Sequence, residues 1–173
     1  MSATPAYVGL GSNLQDPAAQ LKSAFAELAA LASTRVVVRS SLYRSAPVGY
    51  ADQPDFINAV AAIETALAPC VLLDALLDIE RRHGRVREFQ NSPRTLDLDL
   101  LLYGELQLHE PGLTIPHPRM HERAFVLLPL AEIAPQLVIP GMGTVVDQLC
   151  KISVDGVMLC EARPARNEQA SHP

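Results

Sequence analysis

Leucine occupies every second position from Leu96 to Leu102, and the positions between these leucines include Asp97 and Asp99. A period of two is that of a β-strand, in which successive side chains point to opposite faces of the sheet. The leucines therefore predict a strand that buries one face in a core. The two aspartates are predicted to stand side by side on the other face, with Cα atoms roughly 7 Å apart.

Two carboxylates at that spacing repel each other unless a positive group lies between or above them. Magnesium is a suitable group, because this hard cation takes oxygen ligands and is commonly held by one or two carboxylates together with substrate phosphates. Arg94, just upstream, is a natural partner for those phosphates. The alternative is a solvent-facing strand edge that carries acidic side chains and binds nothing.

The other periodicities place two helices and three further strands before the aspartates. We predict strands over residues 6–10, 36–43 and 56–65, with helices that begin at Pro17 and Pro69. The order strand, helix, strand, strand, helix, strand is typical of an α+β, ferredoxin-like βαββαβ core, an antiparallel sheet with helices packed on one face. The other face is then available for a site built from loops.

The second half of the chain is less regular. We predict a hairpin from Gly104 through Leu108, an irregular stretch over residues 114–118 and a third helix over residues 119–133. Residues 1–162 are predicted to form a single domain, and residues 163–173 a flexible polar tail. The loop over residues 45–55 is longer than connections usually are, which makes it a candidate for function.

Composition excludes several classes of protein. The chain is 49% hydrophobic and 19% charged, and its apolar runs are too short for a membrane span, so we expect an ordinary globular protein of the cytoplasm without membrane partners. A net charge of −5 argues against general nucleic-acid binding. The three cysteines are too far apart for a metal cluster and are predicted to be reduced thiols.

Local basic and histidine residues are candidates for binding an anion. Arg85 and Arg87 follow the predicted helix stop at Gly84, in a loop that leads to the aspartate strand. His117 is flanked by two prolines, which restrict its backbone, and His121 follows four residues later. The histidine spacing raises zinc as an alternative, although no third ligand is near in sequence.

Asn58 is unusual because asparagine is disfavoured inside strands. Its amide needs partners for both donor and acceptor groups. A cross-strand structural hydrogen bond would satisfy it, and so would a polar heterocyclic ligand. Phe56 is predicted to share its face, and an aromatic ring beside an amide suits recognition of a flat, polar ring.

Several short motifs occur in one order along the chain: Gly11-Ser12-Asn13-Leu14, Gln53-Pro54-Asp55-Phe56-Ile57-Asn58, Gly84-Arg85-Val86-Arg87, the segment 93–99, Ile115-Pro116-His117 and Arg123-Ala124-Phe125. Together they resemble the 6-hydroxymethyl-7,8-dihydropterin pyrophosphokinases of folate biosynthesis, in their single-function form. The resemblance runs from about Tyr7 to Pro140. It implies transfer of diphosphate from ATP to the hydroxymethyl group of the pterin, with release of AMP, and a protein that works as a monomer.

The resemblance also implies roles for individual residues. Asp97 and Asp99 would bind two Mg²⁺ ions and, with Arg85 and Arg94, form the catalytic set. Contacts to ATP would come from Arg85, Arg87, Arg94, Thr114, His117 and Arg123. The pterin would be held by Ser45, Val48, Phe56, Asn58 and Phe125, with Glu80 in the same wall.

The chain departs from the family pattern at Gln90-Asn91-Ser92, where many members have Arg-Trp-Gly. We expect altered loop closure or affinity rather than lost activity. Two other classes of protein stay open from the residues alone: an RNA-recognition module, which can share this fold, and a nucleotide-binding regulator without catalysis.

Overall fold

The computed structural model describes residues 2–47, 52–84 and 95–165. The predicted core is present in the predicted order: β1 (Thr4–Ser12), α1 (Pro17–Ala29), β2 (Thr34–Arg39), β3 (Leu42–Ser45), β4 (Phe56–Thr65), α2 (Pro69–Arg82) and β5 (Asp97–Tyr103). It is followed by β6 (Leu108–Glu110), β7 (Leu113–Ile115), a 3-10 turn (Met120–Glu122), α3 (Ala124–Ile133), β8 (Val138–Ile139), β9 (Gly143–Thr144), α4 (Val145–Leu149) and β10 (Val157–Glu161).

β1 is an inner strand of an antiparallel six-stranded sheet. It pairs with β4 on one side and with β5 on the other. β2 and β3 both pair with the far edge of β4, and β10 adds to β3. The antiparallel order of the core strands confirms the predicted ferredoxin-like class.

The single strand predicted over residues 36–43 is two strands, β2 and β3. Between them the Ser40 hydroxyl accepts a hydrogen bond from the Val60 N–H, and the Ser41 N–H donates to the Glu132 carboxylate. The Ser40 N–H still donates to the Val60 carbonyl at 2.9 Å, but side chains accept the hydrogen bonds of the Val60 and Ser41 N–H groups, and the backbone ladder is interrupted there.

One face of the sheet carries the core that the sequence predicts. The residues Val8, Leu10, Leu98 and Leu100 from the middle strands are buried against α1 and α2. Asp16 begins α1 as predicted: its carboxylate accepts a hydrogen bond from the Ala19 N–H. Gly84 ends α2 with φ of 75°, a conformation that glycine adopts at low cost.

The second face is only partly open, which corrects the expectation that helices pack on one face alone. α3 and α4 bury a second cluster there, which includes Val60, Leu101, Leu127 and Leu130. The strongly apolar sequence of α3 accounts for this, because a helix of that composition needs two packed sides. Among the described residues, none covers the end of this face beside Gly11 and Asp97, where a cavity opens.

Three other predictions need correction. The hairpin after Gly104 does not fold back on β5; β6 pairs with β7 in a separate two-stranded sheet, so Thr114 lies in a strand. The third helix does not run without interruption, because Arg123 is extended (φ −112°, ψ 106°) between the 3-10 turn and α3. The predicted tail boundary at 163 stays a prediction, but the Arg163 N–H donates to the Ser41 hydroxyl.

Among residues 2–47, 52–84 and 95–165, no helix has both the length and the apolar character required to cross a bilayer. Cys70, Cys150 and Cys160 are exposed and unpaired, as predicted.

Candidate functional site

A cavity of about 550 Å³ opens at the uncovered end of the second sheet face. Its floor comes from β1, β4 and β5, and its walls come from the start of α3 and the chain around β10. It gathers many of the predicted site residues and several others: Gly9, Gly11, Ser45, Phe56, Asn58, Asp97, Asp99, Arg119, Glu122, Arg123, Phe125, Asp155, Gly156 and Val157.

The aspartate pair stands as the sequence predicts. Asp97 and Asp99 are half-buried on the cavity face of β5, while Leu98 and Leu100 between and beyond them are buried on the opposite face. On that opposite side the buried Glu80 carboxylate of α2 accepts a hydrogen bond from the Leu98 N–H at 3.3 Å. The strand that presents both carboxylates is therefore fixed by packing and by a polar contact from behind.

Asn58 and the aromatic residues lie across the sheet from the aspartates. Asn58 is 4% exposed, and its side-chain N–H donates to the Ser45 hydroxyl at 2.7 Å. Phe56, two residues earlier on β4, and Phe125, at the start of α3, both line the cavity. The bond to Ser45 is the cross-strand hydrogen bond that the sequence left open as one of two alternatives for Asn58. The amide also lies beside aromatic surface in the cavity, and its use for a flat polar ring stays a prediction.

His117 is placed by the backbone of the central sheet. The backbone N–H of His117 donates to the Leu101 carbonyl at 2.9 Å, and the imidazole Nδ1 accepts a hydrogen bond from the backbone N–H of Arg119 at 3.2 Å. Burial, reinforced by the charge of Arg123, lowers the pKa of His117 to about 4, and Asp97 opposes that shift. The imidazole is therefore neutral at pH 7, and its Nδ1 carries no proton in this arrangement.

Two other predicted ATP contacts, Arg123 and Thr114, differ from each other in whether they line the cavity. Arg123 lines the cavity, and its guanidinium lies 5.6 Å from the centre of the Phe125 ring. Thr114 lies on the β6–β7 hairpin, where its hydroxyl contacts His109 Nδ1 at 3.3 Å, and it is not a lining residue of the cavity. Arg85, Arg87, Arg94 and Val48 lie outside the described residues, so their predicted roles stay predictions.

The described part of the chain contains no cluster of three or more His, Cys, Asp and Glu side chains that could hold a metal ion. The zinc alternative at His117 and His121 therefore gains no support. The pair Asp97 and Asp99 matches a different donor set, two carboxylates that leave further positions to ligand oxygens.

Sequence reasoning missed how the Ser12-Asn13 pair braces the site. The Ser12 hydroxyl donates to the Thr95 carbonyl, just before β5. The Asn13 side-chain N–H groups donate to Gln53 Oε1 at 2.9 Å and to the Pro54 carbonyl at 3.0 Å. One turn thus holds the strand that carries the aspartates and the entry to the strand that carries Asn58. A polar pair at a strand end was the available signal.

The last strand was missed as well. β10 pairs with β3, with Val157 opposite Ser45, and this pairing brings Asp155, Gly156 and Val157 to the cavity wall. Nothing local in the sequence of residues 155–157 indicates this, because the placement depends on pairing with a strand more than a hundred residues earlier.

The sequence profile of the 7,8-dihydro-6-hydroxymethylpterin-pyrophosphokinase family (HPPK) matches residues 7–135. The chain belongs to this family. It is 50% identical over 151 residues to the 2-amino-4-hydroxy-6-hydroxymethyldihydropteridine pyrophosphokinase of Pseudomonas aeruginosa, covering 87% of this chain and 93% of that protein. It is 49% identical over 154 residues to the protein of that name from Haemophilus influenzae, covering 89% of this chain and 96% of the relative.

Solved structures support the fold. The match to a chain of Plasmodium falciparum HPPK-DHPS A437G with STZ-DHP has a TM-score of 0.68 at 13% identity, and covers 86% of this chain. The protein spans less than half of that chain, 45% of its length. At this identity the likeness establishes the HPPK fold alone.

Proposed function

We infer that the protein is an ATP-dependent pyrophosphokinase, which transfers diphosphate from ATP to the hydroxymethyl group of 6-hydroxymethyl-7,8-dihydropterin and releases AMP, as a step of folate biosynthesis. Membership of the family supports this reaction. The observation in the structure that supports it best is one cavity with two different ends. A carboxylate pair stands on β5, and an amide with aromatic neighbours stands on β4 and α3.

We propose that Asp97 and Asp99 hold two Mg²⁺ ions together with the phosphates of ATP. The fit rests on their donor set: both carboxylates stand on one strand face, half-buried, and both line the same cavity. Bound there, Mg²⁺ would neutralise phosphate charge and orient the transferred group. Asp97 would also accept the proton of the pterin hydroxyl.

We propose that cationic and neutral donors bind the nucleotide; of these, Arg123 lines the cavity and His117 is not among its lining residues. Arg123 at the cavity wall would contact the phosphates, and the neutral His117 would donate a hydrogen bond through Nε2. Arg85, Arg87 and Arg94 are proposed to contribute further positive charge from the loop before β5, and Thr114 to contact the sugar or base. Phosphoryl transfer depends mainly on such positioning and charge neutralisation.

The pterin is proposed to bind at the Asn58 end. The Asn58 amide is held by Ser45 and would read the edge of the heterocycle, and Phe56 and Phe125 would cover its rings. Val48 is proposed to complete this pocket. We further propose that the enzyme is a cytoplasmic monomer that takes these two small molecules and binds neither nucleic acid nor a membrane.

The test is an AMP-release assay on the wild type and on Asp97→Asn, with and without the pterin. We expect AMP release only when ATP, Mg²⁺ and the pterin are all present. Asp97→Asn should lower the rate about a hundredfold or more, because charge stabilisation of the transferred group is lost. Its melting temperature should stay close to that of the wild type, because a half-exposed acid contributes little to stability.

Asp78→Asn is the matched control, since Asp78 is an exposed acid on α2 that forms an ion pair with Arg81. It should retain full activity. Pterin-independent AMP release by the wild type would overturn the assignment of the acceptor. Full activity of Asp97→Asn would overturn the role of the aspartate pair.

A further inference from the structure

The cavity floor has a strip without side chains along β1. On the cavity side, β4 presents Asn58 and β5 presents Asp97, and the residue of β1 that pairs with both is Gly11. The next position of β1 on this face is Gly9, which pairs with Val60 and Asp99. The amide and the carboxylate that bracket the substrate are therefore separated only by main-chain atoms.

The backbone conformation does not require a glycine at residue 11, because its φ is not in the left-handed region, where glycine is favoured. A Cβ built there would meet the Ile57 carbonyl at 4.0 Å, an ordinary contact, and Asn58 Oδ1 at 3.4 Å, the short limit of van der Waals contact. Glycine inside a strand destabilises it relative to alanine, so the fold alone would favour a side chain here.

A hydrogen-bonding role does not explain the glycine either. β1 is an inner strand that pairs along this stretch with β4 and β5, so its backbone groups are used within the sheet. What glycine supplies is empty space above the main chain. The cavity occupies that space, and Gly11 is one of its lining residues.

We propose that Gly11 is a positioning residue that sets how deeply the pterin enters the cavity. This inference rests on the proposed function. Asn58 and Asp97 lie on strands two apart, with Cα atoms about 10 Å apart across β1. A two-ring heterocycle that reaches Asn58 with its edge and Asp97 with its hydroxymethyl group must come close to the backbone between them.

A methyl group at residue 11 would project about 1.5 Å into the cavity, one carbon–carbon bond length. The heterocycle would have to move outward by a comparable distance. Its edge would then lie too far from Asn58 for a good hydrogen bond, and its hydroxyl would be displaced from the transferred phosphate. Displacements on the scale of 1 Å can lower a rate by about a hundredfold.

The experiment compares Gly11→Ala with the wild type. Pterin affinity is measured by calorimetry in the presence of Mg²⁺ and a non-hydrolysable ATP analogue, and affinity for the analogue alone is measured separately. We expect the dissociation constant for the pterin to rise about tenfold or more. We expect affinity for the analogue to change less than about twofold, and kcat to fall together with the loss of pterin affinity.

The melting temperature distinguishes a role of Gly11 in ligand binding from a role in stabilising the fold. Gly11→Ala should melt at the same temperature as the wild type or higher, because the fold accommodates the added methyl group. A decrease of more than about 5 °C would overturn the claim that glycine is present for the ligand. So would unchanged pterin affinity and unchanged kcat in a folded Gly11→Ala protein.

Gly9→Ala is the positional comparison on the same strand and the same face. Gly9 is two residues further along β1 and pairs with Val60 rather than with Asn58. A Cβ there would meet the Leu101 side chain at 3.5 Å. Its loss of pterin affinity should be smaller than that of Gly11→Ala, and an equal or greater loss would overturn the specific role of residue 11. If the wild type itself bound no pterin, the proposed function would fail, and this inference with it.

Discussion

His117 shows how a single half-buried side chain makes stability depend on pH. Burial and the neighbouring Arg123 lower its pKa to about 4, below the ordinary value of 6.5. In the unfolded chain the imidazole gains its proton as pH falls through about 6.5, whereas in the folded protein it does so only near pH 4. Between these values the unfolded state binds more protons, so stability contributed by the neutral imidazole is present above pH 6.5 and is lost as pH falls.

We therefore predict that the free energy of unfolding falls between pH 6.5 and pH 4 by about 1–2 kcal/mol through this group, after allowance for partial solvent screening. His117→Gln should remove that part of the pH dependence. Urea unfolding at pH 7, 5.5 and 4.5 measures it, with His109→Gln as a control on the exposed hairpin. Identical pH slopes for the wild type and His117→Gln would contradict the assignment.

For single residues, the sequence was informative where a regular spacing of side chains determined their position. The alternation around Asp97 and Asp99 correctly placed both carboxylates on one face, whereas Asn58 makes the cross-strand hydrogen bond that the sequence left as one of two alternatives. The role of Gly11 was not accessible, because a glycine in a strand has many explanations until its neighbours across the sheet are known. The neutral state of His117 also depends on burial by residues distant in sequence.

Among the structural elements, the junction between β2 and β3 depends on Glu132 of α3, which contacts Ser41, Tyr43 of β3 and Arg163 after β10. Its carboxylate accepts hydrogen bonds from the Ser41 N–H, the Ser41 hydroxyl and the Tyr43 hydroxyl, at 2.8–2.9 Å. Arg163 Nε lies 3.3 Å from it. Burial and the bond to Glu132 raise the pKa of the Tyr43 phenol.

We predict that Glu132→Ala lowers the free energy of unfolding by about 2–3 kcal/mol, because several half-buried donors lose their acceptor at once. Glu64→Ala is the control, since Glu64 is paired with Arg35 on the exposed surface and should change stability by less than about 0.5 kcal/mol. Denaturant unfolding of both variants measures the difference. Equal, small effects would show that the Glu132 cluster contributes little.

The interrupted strand could not be predicted, because the propensities of residues 36–43 favour an uninterrupted strand throughout. The interruption results from Glu132, which competes for the backbone N–H of Ser41 from a helix some ninety positions later. The break at Arg123 was equally hidden, since residues 119–133 are compatible with a helix and only the packing of the following apolar turn fixes where it begins.

At the scale of the whole molecule, the cavity is completed by the end of the described chain. β10 holds to β3 through backbone pairing, and residues 155–157 form part of the wall beside Ser45. The family profile matches residues 7–135. A part of the pocket wall therefore comes from chain that lies beyond this match.

We predict that a chain ending at Ser153 binds the pterin about tenfold more weakly and melts several degrees lower than the wild type, because a wall of the cavity and the pairing of β3 are lost. A chain ending at Ala165 retains the described contacts and is the control. Calorimetry and thermal melting measure both effects. Normal pterin affinity in the shorter chain would show that β10 is not needed for the pocket.

Whole-molecule features were the hardest to anticipate. The element order correctly predicted the ferredoxin-like core, because periodicity and helix boundaries are local properties. The covering of the second face by α3 and α4 depends on how an apolar helix returns to the sheet, which no local pattern specifies. The same limit applies to the wall formed by β10.

The bare strip along β1 also bears on how this enzyme could be blocked. An inhibitor that packed against the main-chain atoms of β1 would contact groups that no amino-acid substitution can remove. With the pterin bound as proposed against this strip, bulk added at Gly9 or Gly11 would hinder the substrate as well as the inhibitor. Compounds shaped to sit against that strip should therefore leave few single-mutation routes of escape.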